Sequence, residues 1–355
     1  MKILIYGAGP LGSFLAGKLK LSGQEVSLLA RGKRLDDLRK YGLVIEDPVT
    51  KVRRKISVPV VEKLSPTDMY DWIIVVMGKH DLPAVLPVIS KNYKVPNVLF
   101  IGNNVSGGRD LAVIVGYDRV LLGFLMAAGK LAGEVAVVGN YFDGQISPSM
   151  IGELDGSVTS RLIEIAAIFE NAGLPVEVSR KIESWLKCHA ATIVPMAGAY
   201  FLAGNNLGRL ASTPDAIVMM VRGIHEALQI LHTYHIPFLP ARLNLLYYLP
   251  EPFMVALTRK RLENPLIRYA FVHADKSRPE ISELGCELIQ LARSAELVTP
   301  HLDSLVVATR TDRYEIPAGS QRLSLNWRGV WVPLIALIAA FWVFLSVNRW
   351  RDRQL

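Results

Sequence analysis

Cysteine is scarce in this sequence. Cys188 and Cys286 are the only two in 355 residues, too few for a disulfide scaffold, and no cysteine or histidine spacing typical of zinc sites occurs. We therefore expect a reducing compartment and no bound metal. Low-complexity tracts and repeats of fixed period are also lacking, and 51% of the residues are apolar, a composition that excludes a disordered chain. A signal peptide is not expected, because Gly7 interrupts the apolar run that follows Lys2.

Concentrated positive charge is nearly absent as well, although the net charge is +8. The basic residues are spread along the chain except in one run, residues 51–55. A diffuse excess of this kind does not predict a nucleic-acid partner. We interpret the run itself as a solvated loop or strand edge, and attraction to an acidic membrane surface is the alternative.

The first half of the chain alternates between strand and helix patterns. Short apolar runs typical of buried strands occur at residues 3–6, 25–30, 72–77, 98–101 and 120–124. Strands that alternate with helices form a parallel sheet that carries helices on both faces. We therefore predict an α/β Rossmann-type domain over residues 1–176.

The second half changes to helical patterns. Stretches of helical length with few strand signals lie at residues 161–172, 181–203, 214–232 and 281–295. These stretches predict an all-α domain over residues 177–311.

A glycine-rich turn, GAGPLG at residues 7–12, lies between the first predicted strand and the first predicted helix. In dinucleotide-binding folds the first glycine permits the tight turn, the second lets the backbone approach the pyrophosphate, and the third lets helix and strand pack closely. The helix N-terminus then faces the phosphates. A glycine turn without a ligand is the alternative. The predicted cofactor-binding residues of this turn are Gly7, Gly9, Pro10, Leu11 and Gly12.

The end of the second predicted strand lacks the carboxylate that NAD-selective proteins offer to the ribose. Arg31 stands at this point, and Lys33 and Arg34 follow it. A missing acid and a nearby arginine favour NADP over NAD, so Arg31 is a predicted ligand of NADPH. Surface solvation alone is the other explanation for these basic residues.

An uncharged segment of 19 residues, 329–347, lies near the end of the sequence. A helix of that length nearly matches a bilayer core of about 30 Å, and tryptophans such as Trp331 and Trp342 stand near its edges. We predict a single transmembrane helix there, tethered by residues 312–328, with the membrane as a partner. A helix buried in the fold or in a dimer interface is the alternative. The nucleotide-binding part is expected on the cytoplasmic side, where its cofactor is found.

Beyond the glycine turn, a series of short motifs resembles the ketopantoate reductases (2-dehydropantoate 2-reductases) over residues 1–310. The resemblance implies NADPH-dependent reduction of a 2-oxo acid such as ketopantoate, with residues 177–311 as the substrate-binding and catalytic domain. The motifs that carry it are, in order, the turn itself, Arg31, Lys79, Gly102-Asn103-Asn104, Ile151-Gly152-Glu153, Trp185-Leu186-Lys187 and Pro279-Glu280-Ile281.

The same resemblance implies roles for four residues. Lys187 is the general acid that protonates the substrate carbonyl oxygen, and Asn103 lies near the nicotinamide and holds Lys187 or the substrate. Glu280 accepts a hydrogen bond from the substrate hydroxyl or orients the lysine, and Lys79 contacts a phosphate or ribose of the cofactor. Plain structural alternatives exist: an exposed helical lysine for Lys187, an acid favoured by the helix N-terminus for Glu280, and a loop lysine for Lys79.

The chain departs from the family pattern after the predicted catalytic lysine. The family places asparagines four and eight residues later, on the helix face that meets the substrate, whereas this chain has Ala191 and Pro195. The loss of these donors predicts a less polar pocket. The family's carboxylate-binding serine has no clear counterpart either. His189 and His273 could compensate, although lone histidines on helices are more often structural or exposed.

Three functions therefore stay open. The leading one is a ketopantoate-like reductase of a 2-oxo acid. The second is a reductase of a different, less polar carbonyl compound, and the third is a non-catalytic, membrane-tethered NADP-binding or sensor protein. The sequence leaves the oligomeric state open, a homodimer included.

Overall fold

The first half of the chain forms one large sheet and smaller ones beside it. The computed structural model describes residues 1–142, 145–263, 277–310, 315–327 and 329–331. The strands in chain order are β1 (Lys2–Tyr6), β2 (Glu25–Leu29), β3 (Leu43–Glu46), β4 (Arg53–Ile56), β5 (Val60–Val61), β6 (Trp72–Val76), β7 (Asn97–Ile101), β8 (Val120–Phe124), β9 (Ala128–Ala132), β10 (Val135–Gly139), β11 (Tyr141–Phe142), β12 (Gln145–Ile146), β13 (Ser149–Glu153) and β14 (Val176–Val178).

The large sheet has eight strands in the order β14-β13-β8-β7-β6-β1-β2-β5. Its neighbouring strands are parallel, except that β13 runs antiparallel to β8. β1 and β6 are central because residues 3–6 and 72–76 are apolar and buried on both faces, as a covered parallel sheet requires. The chain order reverses between these two strands. Such a reversal is where open α/β sheets bind their ligands.

The helices follow the predicted division of the chain. Side chains alternate across β1, so that Ile3 and Ile5 share an apolar core with the helices at residues 10–21 and 160–171. Leu4, on the other face, shares a core with the helices at residues 82–91 and 109–115. The α/β first half and the helical second half are thus confirmed. The helices are α1 (Pro10–Leu21), α2 (Gly32–Tyr41), α3 (Leu82–Lys91), α4 (Arg109–Val115), α5 (Ser160–Asn171), α6 (Ile182–Leu202), α7 (Leu207–Ala211), α8 (Pro214–Thr233), α9 (Leu243–Tyr248), α10 (Glu251–Leu262), α11 (Arg278–Ser294) and α12 (Pro300–Arg310).

The boundary between the halves lies slightly later than the sequence pattern indicated. The predicted boundary between residues 176 and 177 falls inside β14, which pairs with β13 at the edge of the large sheet. The helical half therefore begins with α6, whose buried face packs against α8, α11 and α12 in one apolar core.

A second sheet of four strands, in the order β4-β3-β10-β9, was not predicted. It packs against α1, where Ile45 and Ile56 reach to within 3 Å of the position that a side chain at Gly17 would occupy. β4 lies at its edge and carries the basic run, with residues 53–55 exposed. The interpretation of that run as a solvated strand edge is confirmed.

The predicted tether, residues 312–328, needs a correction. Residues 315–327 lie along the helical half, where their backbone donates hydrogen bonds to the buried Asp215 and the half-buried Glu251. Asp215 of α8 accepts bonds from the backbone of Arg322 (2.9 Å) and Leu323 (2.8 Å), and Glu251 of α10 accepts one from Asn326 (2.9 Å). Residues 311–314 and 328 lie outside the described residues.

Within the described ranges, no helix combines the length and the apolar character that crossing a bilayer demands. The predicted transmembrane segment, residues 329–347, lies outside the described residues from residue 332 onward. The described part of the chain therefore gives this prediction no support.

Candidate active site

A cavity of about 750 Å³ lies at the switch point between β1 and β6. Its walls come from the turn after β1, the ends of β2, β6, β7 and β8, and one face each of α6 and α11. Both halves of the chain thus contribute to a single cavity. That is the place and the size expected of a site for a small molecule.

The glycine-rich turn forms one end of the cavity, and its three glycines differ in what a side chain would meet. A Cβ at Gly7 would lie 2.4 Å from the carbonyl oxygen of Val76, and one at Gly12 would lie 1.9 Å from that of Gly7. Neighbouring backbone therefore leaves no space for a side chain at either Gly7 or Gly12. A Cβ at Gly9 would have no protein atom within 4 Å, although Gly9 lines the cavity. The open space at Gly9 fits a cofactor pyrophosphate that approaches the backbone.

Two arginines stand beside this turn. Arg31 lines the cavity, is exposed, and is the residue that precedes the first turn of α2. Arg34, one turn later, also lines the cavity and donates to the carbonyl oxygens of Ala8 (3.0 Å) and Glu134 (2.8 Å) and to Ser13 Oγ (2.9 Å). Arg34 therefore fixes the glycine turn from its α2 side. The sequence offered solvation as an explanation for Arg34, and nothing in the pattern signalled these carbonyl partners.

Asn103 and Glu280 meet at the other end of the cavity. Asn103 follows β7, Glu280 lies in the first turn of α11, and Asn103 Nδ2 donates to Glu280 Oε1 over 3.0 Å. The Asn103 Oδ1 atom is buried and has no hydrogen-bond partner among the described residues. Burial raises the pKa of the Glu280 carboxyl group, an effect that the bond from Asn103 and the charge of His80 partly oppose. The pair thus leaves a polar acceptor and a weakly acidic carboxyl group beside the cavity.

The loop that carries Asn103 is held by its neighbour. Asn104 Oδ1 accepts a bond from the Gly107 backbone (2.9 Å), and Asn104 Nδ2 donates to the Gly107 carbonyl oxygen (2.8 Å). Glu183, at the start of α6, accepts a bond from the Gly108 backbone over 2.6 Å. The loop is therefore anchored both to itself and to the helical half, which fixes the direction of Asn103.

α6 contributes His189, Ile193, Met196 and Ala197 to the cavity wall. Three of these side chains follow a four-residue spacing, so they lie on one helix face. The His189 ring stacks on that of Trp185, with centroids 5.2 Å apart and planes 8° apart, and lies 4.3 Å from the Phe124 ring centroid. Burial lowers the pKa of His189 to about 4, so the imidazole is neutral at pH 7.

The structure does not place Lys187 at this cavity. Lys187 is absent from the lining residues, and a position two residues before His189 lies about 200° around the helix from it. Ala191 and Pro195 are buried but do not line the cavity either. The face that the family motif assigned to the substrate is thus turned away from the cavity.

Lys79 is also placed elsewhere than predicted. It is not a lining residue; its ammonium group bonds to Ser106 Oγ (2.7 Å) and forms an ion pair with Glu287 of α11. A lysine already paired with a carboxylate connects the two halves of the fold rather than facing a cofactor phosphate.

Ser277 lines the cavity just before α11 and was missed by the sequence reasoning. His273, the other histidine that could compensate for the missing donors, lies outside the described residues. A serine three positions before a first-turn glutamate is common at helix starts, so its sequence context carries no functional signal.

Comparison with known proteins finds similarity to oxidoreductases. A family model described as "Ketopantoate reductase PanE/ApbA" matches residues 3–149. A 2-dehydropantoate 2-reductase of Aquifex aeolicus is 24% identical over 315 residues, which cover 84% of this chain and 93% of that protein. The uncharacterized oxidoreductase YkpB of Bacillus subtilis is 26% identical over 216 residues, covering 60% of this chain and 69% of that protein.

Two solved structures share the fold. The PanE/ApbA family ketopantoate reductase from Ralstonia eutropha JMP134 superposes with a TM-score of 0.70 at 20% identity, covering 87% of this chain and 97% of that chain. A D-mandelate dehydrogenase, solved with NADH and anilino(oxo)acetate, gives a TM-score of 0.71 at 20% identity, covering 88% of this chain and 98% of that chain. The family model and the curated relatives show a similarity to the ketopantoate reductases that is concentrated in the first half of the chain. The solved structures show that the chain shares their fold.

Proposed function

We propose that this chain is an NADPH-dependent reductase of a 2-oxo acid or a related small carbonyl compound, as the ketopantoate reductases are. The observation that carries the proposal is the single cavity that runs from the glycine-rich turn to the Asn103–Glu280 pair. One end offers an uncovered backbone turn and arginines for an anionic cofactor. The other end offers polar groups and apolar walls for a small substrate.

The residues at the glycine turn fit a dinucleotide. Gly9 leaves room for the pyrophosphate, and Arg31 would contact the 2′-phosphate that distinguishes NADPH from NADH. Arg34 holds the turn in shape. Bound NADPH would supply the hydride for the carbonyl carbon. Asn103 would stand at the reacting end, with Glu280 orienting its amide.

The assignment of Lys187 as general acid came from the family motif alone. Because Lys187 does not line the cavity, we do not carry that role into the proposal. The same holds for Lys79 as a cofactor ligand, since its ammonium group is paired with Glu287. Asn103 and Glu280 keep their proposed places in the site.

A second candidate is a reductase of a less polar carbonyl compound. The observation that favours it is the apolar part of the cavity wall, which includes Ile193, Met196 and Ala197 of α6 together with Phe124 and Ile281. An apolar wall discriminates only weakly between similar apolar groups but disfavours a substrate that needs buried hydrogen-bond donors. Branched or aromatic 2-oxo acids would fit this wall better than hydroxylated ones.

The test is NADPH oxidation by the purified full-length chain over a panel of carbonyl compounds. Ketopantoate, branched-chain 2-oxo acids, aromatic 2-oxo acids and neutral ketones would be compared by kcat/KM. Highest turnover of ketopantoate would support the ketopantoate-like function, and preference for apolar members would support the second candidate. NADPH binding without turnover of any member would overturn both and favour a non-catalytic NADP-binding or sensor protein.

We further propose, on the sequence of residues 329–347 alone, that the chain is held on a membrane with its catalytic part in the cytoplasm. Expression of the full chain and of a chain ending at residue 328, followed by membrane fractionation, tests this. The full chain should be recovered with membranes and the shortened one in the soluble fraction. Identical fractionation of both would overturn the proposal.

A further inference from the structure

His189 is the polar group that α6 presents to the reacting end of the cavity. Together with Ile193 and Ala197 it forms the lining face of that helix, and its two companions carry no polar atoms in their side chains. Lys187, which the family motif would place here, lies on the opposite side of α6. A carbonyl compound held against this wall therefore meets an imidazole where an ammonium group was expected.

The imidazole is held in a fixed orientation. Trp185 stacks on it in nearly parallel planes at 5.2 Å, and Phe124 at the end of β8 contacts it at 53°. No described residue hydrogen-bonds either ring nitrogen, and neither nitrogen is among the fully buried atoms that lack a partner. A cavity-lining ring that is fixed by stacking, and whose nitrogens are not fully buried, is suited to bond to a ligand.

The arginines and Asn103 of the cavity have positions or partners of their own. The cavity's arginines, Arg31 and Arg34, stand beside the glycine turn at the cofactor end. Asn103 Nδ2 donates one of its two hydrogens to Glu280, and its buried Oδ1, which has no partner among the described residues, can only accept a hydrogen bond. Reduction places negative charge on the carbonyl oxygen, so this oxygen needs a donor rather than an acceptor.

We propose that His189 is a catalytic residue, the hydrogen-bond donor to the carbonyl oxygen of the substrate; this inference rests on the proposed function. The carbonyl carbon gains two electrons and one hydrogen from NADPH, which becomes NADP⁺. The C=O π electrons become a lone pair on the oxygen, to which the N–H of His189 donates a hydrogen bond, and this alkoxide oxygen then takes one proton from solvent. A neutral imidazole can stabilise a developing oxyanion in this way, as neutral histidines do in other enzymes.

The test compares four variants of the full-length chain. His189→Phe keeps the stacking with Trp185 and Phe124 but removes the donor, and His189→Gln restores an N–H. Lys187→Met tests the rival donor. His225→Phe is the matched control, because the His225 ring stacks on Tyr247 at 5.0 Å and 7° and does not line the cavity.

We expect His189→Phe to lower kcat/KM on the best carbonyl of the panel by about 100-fold, as loss of an oxyanion donor does in other enzymes. His189→Gln should recover about 10-fold of that loss, and Lys187→Met and His225→Phe should stay within about 3-fold of the parent. A second readout needs no turnover: the affinity of oxamate, an unreactive amide analogue of a 2-oxo acid, measured with NADP⁺ bound. It should fall only about 2- to 10-fold in His189→Phe, because one neutral hydrogen bond is lost.

Parent-like turnover and oxamate affinity in His189→Phe would overturn the role of His189 while leaving the proposed function intact. A large loss in Lys187→Met with none in His189→Phe would return the donor role to the lysine. Absence of turnover by the parent chain would overturn the proposed function and this inference together.

Discussion

Asn103 Nδ2 donates a hydrogen bond to Glu280 Oε1 over 3.0 Å, and this bond joins the end of β7 to the first turn of α11. It therefore connects the nucleotide-binding half to the helical half at the cavity. Gly78 lies close by, since a Cβ there would be 3.6 Å from Glu280 Oε2. The crowding leaves the carboxyl group little water, which is why burial dominates its pKa.

Glu280→Gln should change stability in a pH-dependent way. Burial raises the folded-state pKa of Glu280 above the usual value of 4.5, so the native state holds this proton to higher pH than the unfolded state does. Stability from this group is therefore present below pH 4.5 and is lost as pH rises through the folded pKa. Glutamine still accepts the Asn103 bond but has no proton to lose. The melting temperature of Glu280→Gln, relative to that of the parent chain, should therefore rise between pH 4 and pH 8, because only the parent loses a proton from this position.

The control for this prediction is Glu164→Gln on the exposed face of α5. Its melting temperature should follow that of the parent at every pH. A Glu280→Gln advantage that is constant with pH would show that the carboxyl group is well solvated in the folded chain.

Arg31→Asp should discriminate between the two nicotinamide cofactors. Replacing a cation by an anion at the predicted 2′-phosphate position should raise the Kd of NADPH by about 10- to 100-fold, the effect of one charge-assisted hydrogen bond. The Kd of NADH should change by less than about 3-fold, since NADH lacks that phosphate. Lys33→Asp makes the same charge change two residues away, at an exposed position outside the cavity, and should affect neither cofactor strongly. Equal losses for both cofactors in Arg31→Asp would remove the basis for choosing NADPH.

Gly9→Ala and Gly12→Ala should separate binding from folding. A Cβ at Gly9 meets no protein atom within 4 Å, so Gly9→Ala should melt like the parent while the Kd of NADPH rises by about 10-fold through overpacking at the phosphates. A Cβ at Gly12 would stand 1.9 Å from the Gly7 carbonyl oxygen, so Gly12→Ala should lower the free energy of unfolding by about 1–3 kcal/mol or more. Titration of NADPH and urea unfolding measure the two effects. A Gly9→Ala chain that binds NADPH normally would show that no phosphate lies at that turn.

The glycine turn and the strands around it could be predicted because local sequence determines them. The apolar run at residues 3–6 must be buried on both faces. Gly7 has a φ of +122°, a backbone conformation that favours glycine, so a glycine at this position indicates the turn. The orientation of α6 could not be predicted in this way. The helix is apolar nearly all round, so its periodicity does not say which face meets the cavity.

That ambiguity explains why the family motif points to Lys187 as the general acid whereas the structure places His189 at the cavity. A motif fixes the spacing of residues along a helix, whereas the rotation of the helix about its axis depends on packing with α8, α11 and α12. The small sheet was missed for a related reason. β3 and β4 are only four residues long each, and β4 is mostly basic, so neither has the apolar alternation that predicts a strand.

Lys79 and Glu287 give the last prediction, because the family motif and the structure assign Lys79 different partners. The two side chains are only 15% and 21% exposed, and Lys79 also donates to Ser106, so the pair connects the loop after β6 to α11. Lys79→Met and Glu287→Leu should each lower the free energy of unfolding by about 1.5–3 kcal/mol, the usual cost of losing a charged hydrogen bond. The double variant should lose less unfolding free energy than the sum of the two single losses, because each single variant leaves its partner buried without a counter-charge.

Urea unfolding of the parent, the two single variants and the double variant measures this coupling. Titration measures the Kd of NADPH, which should stay within about 3-fold of the parent value in all four chains. If Lys79 instead contacts the cofactor, Lys79→Met should raise that Kd by about 10-fold or more while Glu287→Leu leaves it unchanged, and the unfolding free energies should be additive.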